Sequence, residues 1–174
     1  MIKDELEYKV SKEWVEKFTK TITAMDRDEE AKRTDFLRWE SGRSAIQCHL
    51  DQLHEEISEY ERLINCDKSE PIEIVVENFN KLSDALIKAR MAAKMTEEEL
   101  ADILDIDPER IKEHEKKNYK GASYMELLDI SLALGLEFKI AVMQVNFEEI
   151  ESVKKTAEIW KKRKREKATK TIIG

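Results

Sequence analysis

The stretch MTEEELADILDIDPERIKEHE, residues 95–115, contains the start signals of two consecutive helices. Thr96 followed three residues later by Glu99 has the pattern of a capping box, in which two side chains satisfy free backbone N–H groups. Asp107 followed by Pro108 is typical of a second helix start, because proline is tolerated at the first helical position. Apolar residues at helical spacing lie between the two signals. The stretch therefore predicts two short helices separated by a tight turn.

The same stretch is strongly acidic, with nine carboxylates against only Arg110 and Lys112. The whole chain of 174 residues has a net charge of −7, with 40% charged and 7% aromatic residues, four Gly and two Pro. This composition favours long, solvated helices over an all-β fold. The acidic balance argues against a non-specific nucleic-acid coat, so any contact with nucleic acid requires a local basic patch.

A helical hairpin is predicted for residues 1–66. Ser11 is the predicted N-cap of a first helix, and Trp14 begins its apolar stripe. The second helix has a coiled-coil-like apolar seam. Two compatible interpretations remain, since the two stripes can bury each other or the seam can form a dimerisation arm. The seam residues are Trp39, Ile46, Leu50, Leu53, Ile57, Tyr60 and Ile64.

The rest of the chain divides into three regions in a mainly α fold. Residues 67–78 are a predicted linker with a short strand at 72–76, where β-branched residues cluster. Residues 79–136 form the central helical domain that contains the opening stretch. Residues 137–174 are predicted to form a short strand at 137–145 and a basic C-terminal helix that begins near Phe147.

The region from Leu82 to Leu136 resembles the Xre/Cro helix-turn-helix family. The residues that carry the resemblance are LIKAR (86–90), TEEELADIL, DIDPERI, Glu115, EHEKKNYKGAS (113–123) and LLDISLALGL (127–136). HigA-type antitoxins share this module and often have a flanking strand or helix. The resemblance implies a five-helix domain in a dimeric, DNA-binding transcriptional regulator, the antitoxin or repressor of a small operon. Its partners would be a second copy and double-stranded operator DNA.

The resemblance also implies which residues would contact DNA through the third helix of the module. Glu109 and Glu113 would face the groove with Arg110 and Lys112 beside them, and the cations just beyond the helix, Lys116, Lys117 and Lys120, could supply phosphate contacts.

This chain departs from the family pattern at the positions that usually contact DNA. Glu97 replaces a frequent Gln, Asp105 replaces the usual turn glycine, and carboxylates at 109 and 113 repel phosphate. An alternative function is therefore a helix-turn-helix fold used as an acidic protein-binding module that neutralises a toxin or effector.

The basic tail allows three interpretations: a solvated helix end, a phosphate-binding arm, or a segment that docks on an acidic surface. Its residues include Lys161, Lys162, Arg163, Lys164 and Arg165.

No catalytic motif is present: the sequence lacks a Gly-rich phosphate loop, a Ser-His-Asp set and an HExxH motif. His114 is expected to pack against Tyr119. Cys48 and Cys66 lack metal-ligand spacing, so no metal or cofactor is predicted. Without a signal peptide or an apolar span, we predict a cytoplasmic protein that is not an enzyme and does not enter a membrane.

Overall fold

A computed structural model describes the backbone of residues 1–173 and the side chains of residues 1–164. This part of the chain is mainly α-helical, as predicted. Its helices are α1 (Glu5–Arg27), α2 (Glu29–Thr34), α3 (Phe36–Ile64), α4 (Leu82–Ala92), α5 (Glu97–Leu104), α6 (Pro108–Lys116), α7 (Tyr124–Ala133) and α8 (Phe147–Ile173), with a 3-10 turn at Phe79–Lys81.

Helices α1 and α3 pack side by side in opposite directions, and the short α2 follows the bend after α1. Near the open end of this hairpin, the Tyr8 and Tyr60 rings stack with their centroids 4.9 Å apart. At the bend, the Trp39 Nε1–H donates a hydrogen bond to the Met25 carbonyl oxygen, 3.0 Å away. Contacts at both ends fix the register of the two helices.

The residues predicted for a dimerisation seam lie in this hairpin. Leu50 and Tyr60 are buried within the single chain. The others are half-buried: Trp39, Ile46, Leu53, Ile57 and Ile64. In the single chain, the two apolar stripes therefore bury each other. Dimerisation through this seam stays a prediction, and the low exposure of its residues does not support it.

The open end of the hairpin and helices α4 to α7 share one hydrophobic core. Ile2 and Leu63 belong to the same buried cluster as Leu86, Leu100 and Ile111. Residues Met1–Leu136 accordingly form one unit. The sequence separated 1–66, 67–78 and 79–136, whereas the structure joins them, because apolar residues of the hairpin face the same core as the central helices.

The two segments predicted as strands, 72–76 and 137–145, have no regular secondary structure. A strand requires another strand to pair with its backbone N–H and C=O groups. No such partner exists among residues 1–173. Ile72 and Ile74 pack instead as partly buried side chains against the core.

Two helix predictions also need correction. Asp4, and not Ser11, caps α1: the Asp4 side chain accepts a hydrogen bond from the Glu7 backbone N–H, 2.7 Å away, and Ser11 lies inside the helix. Residues 79–136 contain four α-helices and one 3-10 turn instead of five helices. The last of them, α7, ends just before Gly135, whose φ of +64° turns the backbone out of the helix.

A second unit begins at Glu137 and contains α8, whose predicted start at Phe147 is confirmed. No helix in the described part of the chain combines the length and the apolar character that crossing a membrane requires.

Candidate nucleic-acid interface

Helices α5 and α6 are joined by only three residues, 105–107. Asp105 adopts a left-handed conformation with φ +54°, and its backbone N–H hydrogen-bonds to carbonyl oxygens at the end of α5. The Asp107 side chain accepts a hydrogen bond from the Glu109 backbone N–H, 2.9 Å away, and Pro108 is the first residue of α6. The predicted cap is confirmed, and it fixes the direction in which α6 leaves the turn.

We expect Asp105→Gly to raise the free energy of unfolding by about 0.5–1 kcal/mol, because glycine adopts positive φ without a Cβ penalty. The substitution also removes a carboxylate from the negative end of the α5 dipole. Urea denaturation followed by circular dichroism measures the change. Asp107→Ala is the matched control and should lower stability by about 1 kcal/mol, because the α6 cap is lost. Destabilisation by Asp105→Gly would contradict the argument.

Helix α6 has one buried face and one exposed face. Ile111 is fully buried, and one turn later Glu115 is buried as well. Glu109, Arg110 and Glu113 lie on the exposed side. One face of the helix is thus packed in the core, and the acidic and basic side chains of the other face remain accessible to a large partner.

A buried ion pair anchors α6 to α4. The Arg90 Nε and one terminal nitrogen donate to the two Glu115 carboxylate oxygens at 2.5 Å and 2.6 Å. The other terminal nitrogen of Arg90 donates to the Met95 carbonyl oxygen at 2.7 Å, so the guanidinium also fixes the loop before α5. Sequence spacing placed both residues on buried helix faces, because Arg90 follows Leu86 and Glu115 follows Ile111 by one helical turn. It could not show that the two residues pair with each other.

Glu97 faces the buried pair. Its carboxylate lies 3.9 Å from the Arg90 guanidinium and is about two-thirds buried. Desolvation, and then the negative charge of Glu115, raise the pKa of Glu97. Glu97 is therefore a carboxylate that faces the buried pair, and its charge disfavours a phosphate nearby.

The loop after α6 is fixed by Tyr119. Asn118 and Tyr119 both have positive φ, +49° and +54°. The Tyr119 ring stacks on His114 with centroids 5.5 Å apart, which confirms the predicted contact. Burial raises the pKa of Tyr119, whose hydroxyl has no hydrogen-bond partner among the described side chains. The ordered loop holds Lys116, Lys117 and Lys120 at the C-terminal end of α6.

Arg110 is engaged by a carboxylate of α7. Its Nε donates to Glu126 Oε1 at 2.8 Å, and a terminal nitrogen contacts the same oxygen. The Ser123 backbone N–H, the Arg110 guanidinium and the Ser123 hydroxyl hold the pKa of Glu126 at about 2, below its ordinary 4.5. His114 Nε2 lies 3.4 Å from the same carboxylate. Arg110 is therefore neutralised within the chain, although it lies on the exposed face.

Two further cations of the predicted DNA-binding set are also paired. Lys112 Nζ lies 3.0 Å from a Glu98 carboxylate oxygen and 3.2 Å from one of Glu109. Lys117 Nζ lies 2.6 Å from Glu113. Binding to phosphate would require these cations to exchange one carboxylate for another anion.

Lys116 and Lys120 differ from the other cations of the set. Both are exposed, and neither takes part in an ion pair among the described side chains. Lys116 is the last residue of α6, and Lys120 lies in the loop after it. They are therefore the cations of this set most readily available to an anionic partner.

The basic tail lies in the second unit, on α8. Lys161, Lys162, Arg163 and Lys164 are exposed. Arg165, the fifth predicted residue of the tail, lies outside the side chains that the structure describes. Among those described, no group of three or more His, Cys, Asp or Glu is arranged to hold a metal ion.

No protein-family model matches this sequence, and neither the curated proteins nor the solved structures contain a significant match to it.

Proposed function

We propose that this protein is a DNA-binding regulator in which α5, the three-residue turn and α6 act as a helix-turn-helix. Helix α5 would brace α6, and α6 would enter the major groove, which is about 12 Å wide and accommodates one helix. The resemblance to the Xre/Cro family, carried by the residues of this module, supports the same assignment.

One observation carries the proposal: α6 is anchored in the core on one side and exposed on the other. Ile111 and the Arg90–Glu115 pair hold it in place. Lys116 and Lys120, at its C-terminal end, have no ion-pair partner among the described side chains and could bind phosphates. A fixed helix with an accessible face and cations at its edge fits DNA recognition.

The carboxylates of the exposed face would restrict which bases α6 accepts. Glu109 and Glu113 can accept hydrogen bonds from the amino group of cytosine but repel phosphate. As a homodimer, the protein would place two α6 helices about 34 Å apart on a palindromic site. In this proposal the protein represses a small operon, as an antitoxin or a repressor.

A second candidate function is protein binding, and the ion pairs of α6 favour it. Glu98, Glu113 and Glu126 already neutralise Lys112, Lys117 and Arg110. The chain also has a net charge of −7. An acidic, carboxylate-rich helix face suits a basic toxin or effector protein, and binding such a partner requires no phosphate contact.

A mobility-shift assay with the full chain tests the first candidate. The duplexes are the DNA upstream of its own gene and an unrelated duplex of equal length, at two salt concentrations. We expect preferential binding of the upstream duplex and weaker binding at the higher salt concentration, because phosphate contacts release counterions.

Two variants make the assay specific for this surface. Lys116→Gln/Lys120→Gln should weaken binding to every duplex, because both residues would contact phosphate. Arg33→Gln/Lys68→Gln removes two exposed cations elsewhere and should leave binding nearly unchanged. Absence of binding to any duplex at low salt would refute the DNA-binding proposal and leave the protein-binding candidate.

A further inference from the structure

Helix α8 has a stripe of exposed apolar side chains. Along one face, apolar residues recur at steps of three and four, the spacing of a two-helix contact. The exposed fractions are 41% for Ile150, 61% for Val153 and 67% for Trp160. Ala157 lies between Val153 and Trp160 on the same face. Apolar side chains aligned in this way, and left in water, are typical of a surface that binds a partner.

The segment before α8 adds to this apolar surface. It contains five large apolar side chains that are all mostly exposed, namely Phe138, Ile140, Val142, Met143 and Val145. The second unit therefore exposes more apolar surface than its stripe alone, and a partner that covers it would gain a large hydrophobic contribution.

The charges beside the stripe indicate which partner fits. Glu149 lies at one edge of the stripe near the start of α8, and Arg163 lies on the same edge near the end of the described side chains. When two such helices run in opposite directions, matching edges meet, so Glu149 of each helix faces Arg163 of the other. This edge of the stripe is thus complementary to itself.

A parallel arrangement is less favourable. It would place the cations 161–164 of two helices next to each other, and it would align the two helix dipoles in the same direction. The antiparallel arrangement separates the two basic ends. It also pairs Ile150 with Trp160 and Val153 with the small Ala157, so side chains of complementary size meet across the contact.

We propose that α8 binds α8 of a second copy of this chain in an antiparallel, two-fold symmetric contact. The proposal deepens the proposed function in one respect, since it names the surface through which the regulator would dimerise. It does not depend on DNA binding, because the mass of the protein in solution is measured without DNA.

The first experiment measures the mass of the full chain by sedimentation equilibrium between 1 and 100 µM. We expect the mass of two chains. Val153→Asp should raise the dissociation constant of the dimer at least 100-fold, because it places an unpaired charge at the centre of the contact. Ile159→Asp is the matched control: Ile159 is an exposed apolar residue of α8 on another face, and its replacement should leave the dimer intact.

Charge reversal tests the direction of the helices. Glu149→Arg alone, or Arg163→Glu alone, should weaken the dimer about tenfold, because each creates two like-charge pairs. The combination Glu149→Arg/Arg163→Glu should restore the original dissociation constant, since the exchanged charges meet again. This rescue separates a lost contact from a lost fold, which circular dichroism of each variant also monitors.

Several outcomes would overturn the proposal. One is a wild-type chain that sediments as a single copy at 100 µM. Another is a dimer that Val153→Asp and Ile159→Asp affect equally. Failure of the combined variant to recover would indicate that the basic end docks on a different acidic surface. Co-sedimentation of a monomeric chain with vesicles of phosphatidylcholine and phosphatidylserine would assign the stripe to a membrane surface. Failure of the mobility-shift assay would leave these results unaffected.

Discussion

Arg90→Met is expected to lower the free energy of unfolding by about 3–5 kcal/mol, the usual cost of removing one partner from a buried ion pair. Glu115 is 97% buried as a side chain, and both of its oxygens accept hydrogen bonds from Arg90. Without the guanidinium, the carboxylate must stay charged in an apolar environment or take up a proton. The Met95 carbonyl would lose its donor as well. Urea denaturation monitored by circular dichroism measures the loss.

Two further variants separate this mechanism from a general effect of substitution. Arg90→Met/Glu115→Leu removes both charges of the pair and should recover most of the lost stability, because the fully buried Glu115 carboxylate is no longer left without its cation. Arg62→Met breaks the pair with Glu59 on the surface of the hairpin, where both side chains contact solvent, and should cost less than about 1 kcal/mol. If the double variant were as unstable as Arg90→Met, the unpaired Glu115 carboxylate would not be the cause of the lost stability.

The helix limits of the central region could be predicted because local side chains determine them. Thr96 and Glu99 form the capping box that their spacing predicted. Asp107 and Pro108 start α6, and Gly135 takes the positive φ that follows α7. Each of these signals acts within four residues, so it is present in the sequence alone.

The strand predictions were wrong because a strand does not depend on local side chains alone. The segment 137–145 has the composition of a strand, but a strand also depends on a distant partner that composition does not reveal. The hairpin shows the same limitation, since the seam from Trp39 to Ile64 permitted both a partner helix of another copy and α1 of the same chain. In the structure the partner is α1, which runs antiparallel to α3. This packing stacks the Tyr8 ring on Tyr60.

The candidate site was predicted as a set of residues but not as a set of contacts. Sequence spacing placed Arg110, Lys112 and Lys117 near the surface of α6. It could not show that Glu126, sixteen residues away on α7, binds Arg110, or that Glu98 of α5 binds Lys112. Such pairs depend on how the helices pack. Because a paired cation is less available to phosphate, the expected affinity cannot be estimated from the number of cations alone.

These ion pairs give the two candidate functions different consequences. If α6 binds DNA, its own carboxylates compete with phosphate for Lys112 and Lys117, and removing them should strengthen binding. If α6 binds a basic protein, the same carboxylates are part of the contact, and removing them should weaken it. Substitution of Glu109 and Glu113 therefore changes the two affinities in opposite directions.

Glu109→Gln/Glu113→Gln is expected to increase the affinity for upstream duplex DNA about tenfold at low salt, which corresponds to about 1.4 kcal/mol. Glu113 lies 2.6 Å from Lys117, and Glu109 lies 3.2 Å from Lys112, so the substitutions release or loosen both lysines. If Lys117 of each copy then neutralises one phosphate, the slope of log K against log salt should become steeper by about 1.8, two contacts at about 0.9 each. Fluorescence anisotropy at four salt concentrations measures both quantities.

The matched control for this variant is Glu13→Gln/Glu16→Gln, which removes two carboxylates from exposed pairs with Lys17 and Lys20 on α1. It changes the net charge by the same amount, so it measures the effect of overall charge on affinity. An equal gain in both variants would show that only net charge matters and that α6 does not contact DNA. A gain confined to Glu109→Gln/Glu113→Gln, together with the steeper salt dependence, would place phosphate beside Lys112 and Lys117. Loss of DNA affinity in that variant would contradict this prediction and would indicate that the two carboxylates accept hydrogen bonds from cytosine amino groups.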